Sequence, residues 1–171
     1  MKNIEIERKF LVRDDSFKRL AVVRYEIIQG YISKDVERTV RVRIKRELPI
    51  GIGSSKDEEV RAYLTIKSKP NALGFSRFEW ERAIGIDDAH QLLQLCLPNP
   101  IKKSRWIVPC LGTEEGVNGR GLRWEIDEFH GHLSGLVLAE LELDSEQQSF
   151  ERPAFIGEEV TGDPRYYNAN M

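Results

Sequence analysis

Three pairs of carboxylates stand two residues apart, Glu5/Glu7, Glu125/Asp127 and Glu140/Glu142, and three pairs of cations share that spacing, Arg41/Arg43, Lys67/Lys69 and Lys103/Arg105. Side chains two apart on a strand point to one face, so each pair presents two like charges to the same small volume. Carboxylate oxygens are hard donors that suit Mg2+ or Mn2+ rather than zinc. Guanidinium and ammonium groups grip phosphate oxygens, Arg in bidentate fashion. A polyphosphate chain with divalent metal satisfies both sets: carboxylates hold the ion, the ion bridges phosphoryl oxygens, and the cations neutralise the rest.

The segments that carry these pairs alternate with period two. Residues 3–12 set Ile4, Ile6, Phe10 and Val12 against Glu5, Glu7 and Lys9, and the same grammar recurs over 39–46, 61–69, 75–84, 101–108, 122–129 and 136–144. A less charged strand, 24–33, carries Gln29 and Tyr31. Eight strands with turns between most neighbours and no repeated helical crossover favour an antiparallel sheet, and eight suffice to close a barrel. Only two helices are expected, a short one through about residue 21 and one over 88–97 capped by Asp87, with an apolar stripe of Leu92, Leu93, Cys96 and Leu97. Pro49–Glu59 and 111–121 read as loops, His130–Gly135 as a turn, and 150–171 as a short helix or lid across one end. The fold class is therefore α+β, an eight-stranded antiparallel β-barrel with a charged lumen and flanking helices, in a single domain over 1–171.

A charged strand face is ordinarily a solvated one. Here whole faces carry one sign: Arg41/Arg43/Lys45 and Lys103/Arg105 are basic, and Glu140/Glu142/Asp144 acidic. Neighbouring like charges repel, so these faces suit a lumen filled by a charged guest, with the apolar faces turned outward. Eleven basic and nine acidic positions share the inward parity, an excess of +2 inside a chain whose 26 Lys+Arg and 28 Asp+Glu leave a net of −2. That net charge and a pI near 6.0 exclude a general polyanion-binding exterior, so no nucleic-acid partner is expected. The charged amino terminus and the lack of a long apolar run point away from a secretory leader or a membrane span. Two cysteines make no disulfide scaffold, which suggests a cytoplasmic protein.

Glu5-Ile6-Glu7-Arg8-Lys9-Phe10 resembles the ExExK opening of the CYTH family, the triphosphate tunnel metalloenzymes. Trp124–Phe129, Leu138–Leu143 and the Gly157–Asp163 tail look like that family's small bacterial members, in the right order along the chain. The resemblance implies a tunnel that binds a triphosphate-containing small molecule (tripolyphosphate, a nucleoside triphosphate or thiamine triphosphate) with Mg2+ or Mn2+, two ions per site. It implies Glu5, Glu7, Asp127, Glu140 and Glu142 as metal carboxylates, joined by Glu125 on the strength of its pairing with Asp127. Lys9, Arg41, Arg43, Lys67 and Arg105 match its phosphate-holding positions, and Lys69 and Lys103 share their spacing. Lys9 and Tyr31 are the candidates to act on the proton, Lys9 with a pKa lowered by its cationic neighbours. Metal-dependent hydrolysis of inorganic triphosphate or another triphosphate-containing substrate is the expected activity. A class IV adenylate cyclase, a thiamine triphosphatase and a non-catalytic polyphosphate-binding module share the same residues, and a homodimer through the outer wall is compatible with them.

Other features read as structural. His130-Gly131-His132 lacks further metal ligands nearby, and Gly51–Lys56 lacks the spacing of a phosphate-binding loop. Trp80, Trp106 and Trp124 take the outward, apolar parity. Glu79 and Glu81 are expected to pair with Lys67 and Lys69.

Overall fold

The computed structural model describes residues 4–50, 58–72, 76–110 and 121–171. Most of the loops expected over Pro49–Glu59 and 111–121, with the Gly51–Lys56 motif, lie outside the described residues. Nine strands form one antiparallel sheet: β1 (Ile4–Val12), β2 (Val23–Ser33), β3 (Arg38–Leu48), β4 (Val60–Ser68), β5 (Ser76–Ile84), β6 (Ile101–Pro109), β7 (Arg123–Phe129), β8 (Val137–Glu142) and β9 (Ile156–Glu159). Their order is β5-β4-β3-β2-β6-β7-β8-β1-β9, and β1 also pairs with β5, so the first eight strands close into a barrel. β1 divides one of its edges: Ile4–Ile6 face β5, whereas Phe10 and Val12 face β9. The ninth strand thus covers the edge that β5 leaves free, which removes an unpaired edge from the sheet.

The apolar faces point outward and are buried under other elements. Phe10, Trp124 and Phe150 pack edge to face with centroids 5.4–6.0 Å apart. Phe17 of α1 (Phe17–Leu20) meets Trp106 and Phe155 in the same cluster. On the opposite wall Leu92 and Leu93 of α2 (Ile86–Gln94), with Cys96 just beyond it, pack against Val42, Ile44 and Ala62. Gly30 permits that approach, because a Cβ there would lie 2.7 Å from the Cys96 Cβ. Trp124 is fully buried and Trp106 half-buried, while Trp80 is half-exposed beneath the Arg82 guanidinium, 5.5 Å from its ring.

α2 differs from the expected helix at both ends. Gly85, in extended conformation, is its N-cap, and Asp87 and Asp88 sit inside the first turn, where they oppose the helix dipole's positive end. It stops before Leu95, which is exposed, and Leu97 is exposed too, so the apolar stripe is shorter than its pattern. The tail holds no α-helix. It runs as β9 and two 3-10 turns, Pro164–Tyr166 and Asn168–Asn170. A further 3-10 turn, Gly131–Leu133, joins β7 to β8, with Gly131 and Gly135 at φ +65° and +96°.

Candidate active site in the barrel lumen

The barrel encloses a cavity of 430 Å3 lined by eight basic and seven acidic side chains, within the range of about 300–1,000 Å3 usual for small-molecule sites. It brings together Glu5, Glu7 and Lys9 of β1, Tyr31 of β2, Arg41, Arg43 and Lys45 of β3, Lys67 of β4, Arg77, Glu79 and Glu81 of β5, Arg105 of β6, Glu125 of β7, and Glu140 and Glu142 of β8. Three expected residues lie elsewhere. Lys69 follows the last residue of β4, is largely exposed, and pairs with Glu37 at 3.1 Å on the outside. Lys103 and Asp127 have inward parity but fill the barrel's interior behind the cavity, both fully buried, with Nζ and Oδ2 2.5 Å apart. Lys103 also donates to the Asn168 side chain of the tail, at 3.2 Å.

Most of the charges neutralise one another. Arg105 donates to Asp127 through Nε (2.6 Å) and Nη2 (2.7 Å), to Glu140 (2.8 Å), and to Glu125. Glu125 and Glu140 stand directly opposite in the β7–β8 register, and Arg105 bridges that like-charged pair. Burial alone would raise Glu140, but Lys9 and Arg105 hold it well below the usual carboxylate range. Lys67 contacts Glu5 at 2.7 Å and Glu79 at 2.8 Å, and Arg77 reaches Glu5 at 2.9 Å. These cations keep Glu5 far below its ordinary value despite its burial. Arg41 donates to Thr65 (3.0 Å) and Glu81 (3.3 Å), and Thr65 donates to Glu81 (2.7 Å).

Lys9 departs from the expectation of a lowered pKa. Burial pulls it down, but Glu140 at 2.9 Å and Glu7 at 3.5 Å outweigh burial and raise it above the usual lysine range. It is a fixed cation, and its Nζ also donates to the Tyr166 carbonyl at 3.2 Å. Tyr31 lines the cavity with little exposure.

Two sets of charges are only partly compensated. Glu7 faces Glu142 across the β1–β8 register; Lys9 lies 3.5 Å from Glu7 but is shared with Glu140 at 2.9 Å, and among the described residues no ion pair reaches Glu142. Both are pushed up to about 7, Glu7 by burial and then Glu140, Glu142 by burial and then Glu5. Across the lumen, Arg43 and Lys45 have no carboxylate partner among the described residues. Arg43 is bonded to the Gln29 amide, and the Lys45 ammonium lies 3.6 Å from the Tyr25 ring centroid. Burial pulls Arg43 down to about 10 and Lys45 to about 8.

The CYTH domain family matches residues 3–167. The chain belongs to the CYTH family. This CYTH chain is 40% identical over 169 residues to a protein named inorganic triphosphatase from Acetivibrio thermocellus, covering 98% of the chain and 92% of the relative. It is 32% identical to a protein of the same name from Nitrosomonas europaea, covering 96% and 93%. A solved inorganic triphosphatase structure superposes with a TM-score of 0.55 at 28% identity over 97% of this chain and 92% of the other.

The tail of this CYTH barrel lines part of the cavity. Tyr167, Asn168, Ala169 and Asn170 line the cavity. The tail is tied to β1 where Arg8 grips Glu159 through Nε (2.5 Å) and Nη2 (2.7 Å), and Arg152 and Thr161 each donate to Glu159 at 2.8 Å. The parity of β1 to β8 carries no signal for these lining residues, because they lie on turns. Lys34, which also lines the cavity, stands just beyond β2, where strand parity gives no guide.

The carboxylates suit a divalent cation by chemistry and by charge. Among the described residues no three acidic side chains converge as a ready-made metal cage. The Glu7–Glu142 pair nonetheless carries more negative charge than Lys9, which it shares with Glu140, offsets, and oxygen ligands are what Mg2+ and Mn2+ take.

Proposed function

We propose that the protein hydrolyses inorganic triphosphate with Mg2+ or Mn2+, two ions per site, in its tunnel. The observation that carries this is the presence of two under-compensated sets in one cavity, Glu7 with Glu142 and Arg43 with Lys45. A cation alone would relieve the first set and an anion alone the second; a metal-bound polyphosphate relieves both. The names of the two curated relatives support inorganic triphosphate as the substrate.

On this reading Glu7 and Glu142 hold the metal, with Glu5 beside them. Asp127, Glu125 and Glu140 act mainly through Arg105, which they orient. Bound there, a divalent ion supplies Lewis acidity and neutralises phosphoryl charge. Arg41, Arg43 and Lys45 bind phosphoryl oxygens and spread the charge that develops on them. Lys67 and Arg105, already paired, fix the carboxylates and add positive potential. Lys9 keeps its proton on Nζ, orienting Glu140 and the tail carbonyl, and the Tyr31 hydroxyl is left to donate to a substrate oxygen. In the reaction a water oxygen bonds to the terminal phosphorus as one of its O–H bonds breaks, the adjacent phosphoanhydride P–O bond breaks, and orthophosphate and pyrophosphate leave with the water's two protons divided between their oxygens.

The test is incubation with tripolyphosphate, ATP and thiamine triphosphate, each with Mg2+, Mn2+ or chelator, scoring phosphate, pyrophosphate and cyclic AMP separately. Metal-dependent release of phosphate and pyrophosphate from tripolyphosphate is expected. Cyclic AMP from ATP as the main product, or no turnover with any substrate, would overturn the proposal.

A further inference from the structure

The lumen's arginines are held in two different ways. Arg105 is gripped by Asp127 and Glu140, Arg77 by Glu5, and Arg41 by Glu81. Arg43 instead takes a neutral acceptor: the Gln29 Oε1 receives hydrogen bonds from its Nε at 3.2 Å and its Nη2 at 3.1 Å. The two residues are directly opposite in the β2–β3 register, and Gln29 is fully buried.

A carboxylate at position 29 would match the guanidinium fork and recover more of the cost of burying it. It would also cancel the charge, as happens at Arg105. The amide oxygen fixes the direction of the fork and leaves the charge in place. Gln29 is poorly served in its own right, since its Nε2 is buried without a described partner. A buried amide with half its capacity unused costs free energy, so its fit to the fold does not explain it. Arg43 is likewise strained electrostatically, held down by burial and by Arg41 and Arg105.

We infer that Gln29 is a positioning residue for Arg43, orienting the guanidinium while leaving it uncompensated so that the phosphate chain supplies the missing negative charge. The inference rests on the reading of the lumen as a triphosphate site and names the device that tunes its affinity.

The experiment uses the full chain with Gln29→Glu and Gln29→Leu, each alone and in an Arg43→Ala background, with folding checked by circular dichroism. Titration with tripolyphosphate in chelator gives Kd, and initial rates with Mn2+ give KM and kcat separately. Gln29→Glu, which keeps shape and acceptor, is expected to raise Kd and KM at least tenfold, because its carboxylate competes with the substrate for Arg43. Gln29→Leu is expected to raise them severalfold by freeing the fork. In the Arg43→Ala background neither substitution should change Kd more than twofold, whereas a purely structural role would persist there.

A Kd for Gln29→Glu within twofold of wild type overturns the inference, as does an undiminished effect in the Arg43→Ala background. Should Gln29→Leu fail to fold, the isosteric Glu variant and its double mutant decide alone. Wild-type protein that binds tripolyphosphate without turning it over refutes the hydrolase reading while Kd still decides the role of Gln29. Wild-type protein with no affinity for tripolyphosphate overturns both.

Discussion

Removing one charge from the Glu7–Glu142 pair should stabilise the metal-free protein while abolishing its proposed chemistry. Glu142 is pushed up to about 7 from 4.5, first by burial and then by Glu5, Glu125, Glu79 and Glu7. Between those two values the folded chain holds a proton that the unfolded chain has lost. Stability therefore falls as pH rises through that window, and the loss is complete above about pH 7. For a fully shielded group that displacement costs the ionised form about 3 kcal/mol. Glu142 is solvent-exposed in part, and screening halves the cost to about 1.5 kcal/mol. Glu142→Gln removes the charge and keeps the shape. In chelator at pH 8 its melting temperature should exceed wild type by about 3–6 °C, the shift that ~1.5 kcal/mol produces in a chain of this size. At pH 4, where Glu142 is protonated in the folded chain and largely so in the unfolded one, the difference should all but vanish. Added Mn2+ should raise the melting temperature of wild type more than that of the variant. Thermal melts followed by circular dichroism measure all three conditions. A variant that melts at or below wild type at pH 8 would refute the claim that this pair is an under-compensated, cation-seeking site.

Three further outcomes follow from the same geometry. Because Glu7 and Glu142 sit near 7, metal must displace protons below that pH, so the metal concentration for half-maximal phosphate release should rise severalfold between pH 8 and pH 6; a flat profile would contradict it. Thr65→Val leaves Arg41 and Glu81 without their shared hydroxyl and should cost about 1–2 kcal/mol in urea unfolding with a raised KM for tripolyphosphate. Glu159→Ala severs the Arg8, Arg152 and Thr161 contacts and should accelerate amide exchange over 160–170 while leaving exchange in β2 and β3 unchanged.

Period-two alternation made the barrel legible, because a strand with an apolar outer face and a charged inner face has one way to close. It placed Glu5, Glu7, Arg41, Arg43 and Glu142 in the lumen. Parity says inward or outward and nothing about depth along the barrel axis. Lys103 and Asp127 are inward yet sealed behind the cavity, Lys69 continues the pattern one residue past the end of β4, and Arg61 and Arg123 share the inward parity yet are exposed. β9 escaped notice because four residues with Gly157 among them show no alternation, and its pairing with β1 is a long-range event. The pKa of Lys9 depended on its three-dimensional neighbours: burial lowers it, but Glu140 across the β1–β8 register and then Glu7 together outweigh burial. Gln29, lying among apolar neighbours in β2, carried no signal of its bond to Arg43.

The most direct test of the central claim is a crystal structure with Mn2+ and tripolyphosphate, in which anomalous scattering locates the metal independently of the phosphates. Mn2+ peaks are expected against Glu7 and Glu142, and phosphoryl oxygens against Arg41, Arg43 and Lys45, inside the barrel. Metal bound only outside the lumen, or tripolyphosphate held on the outer wall with the lumen charges undisturbed, would contradict it.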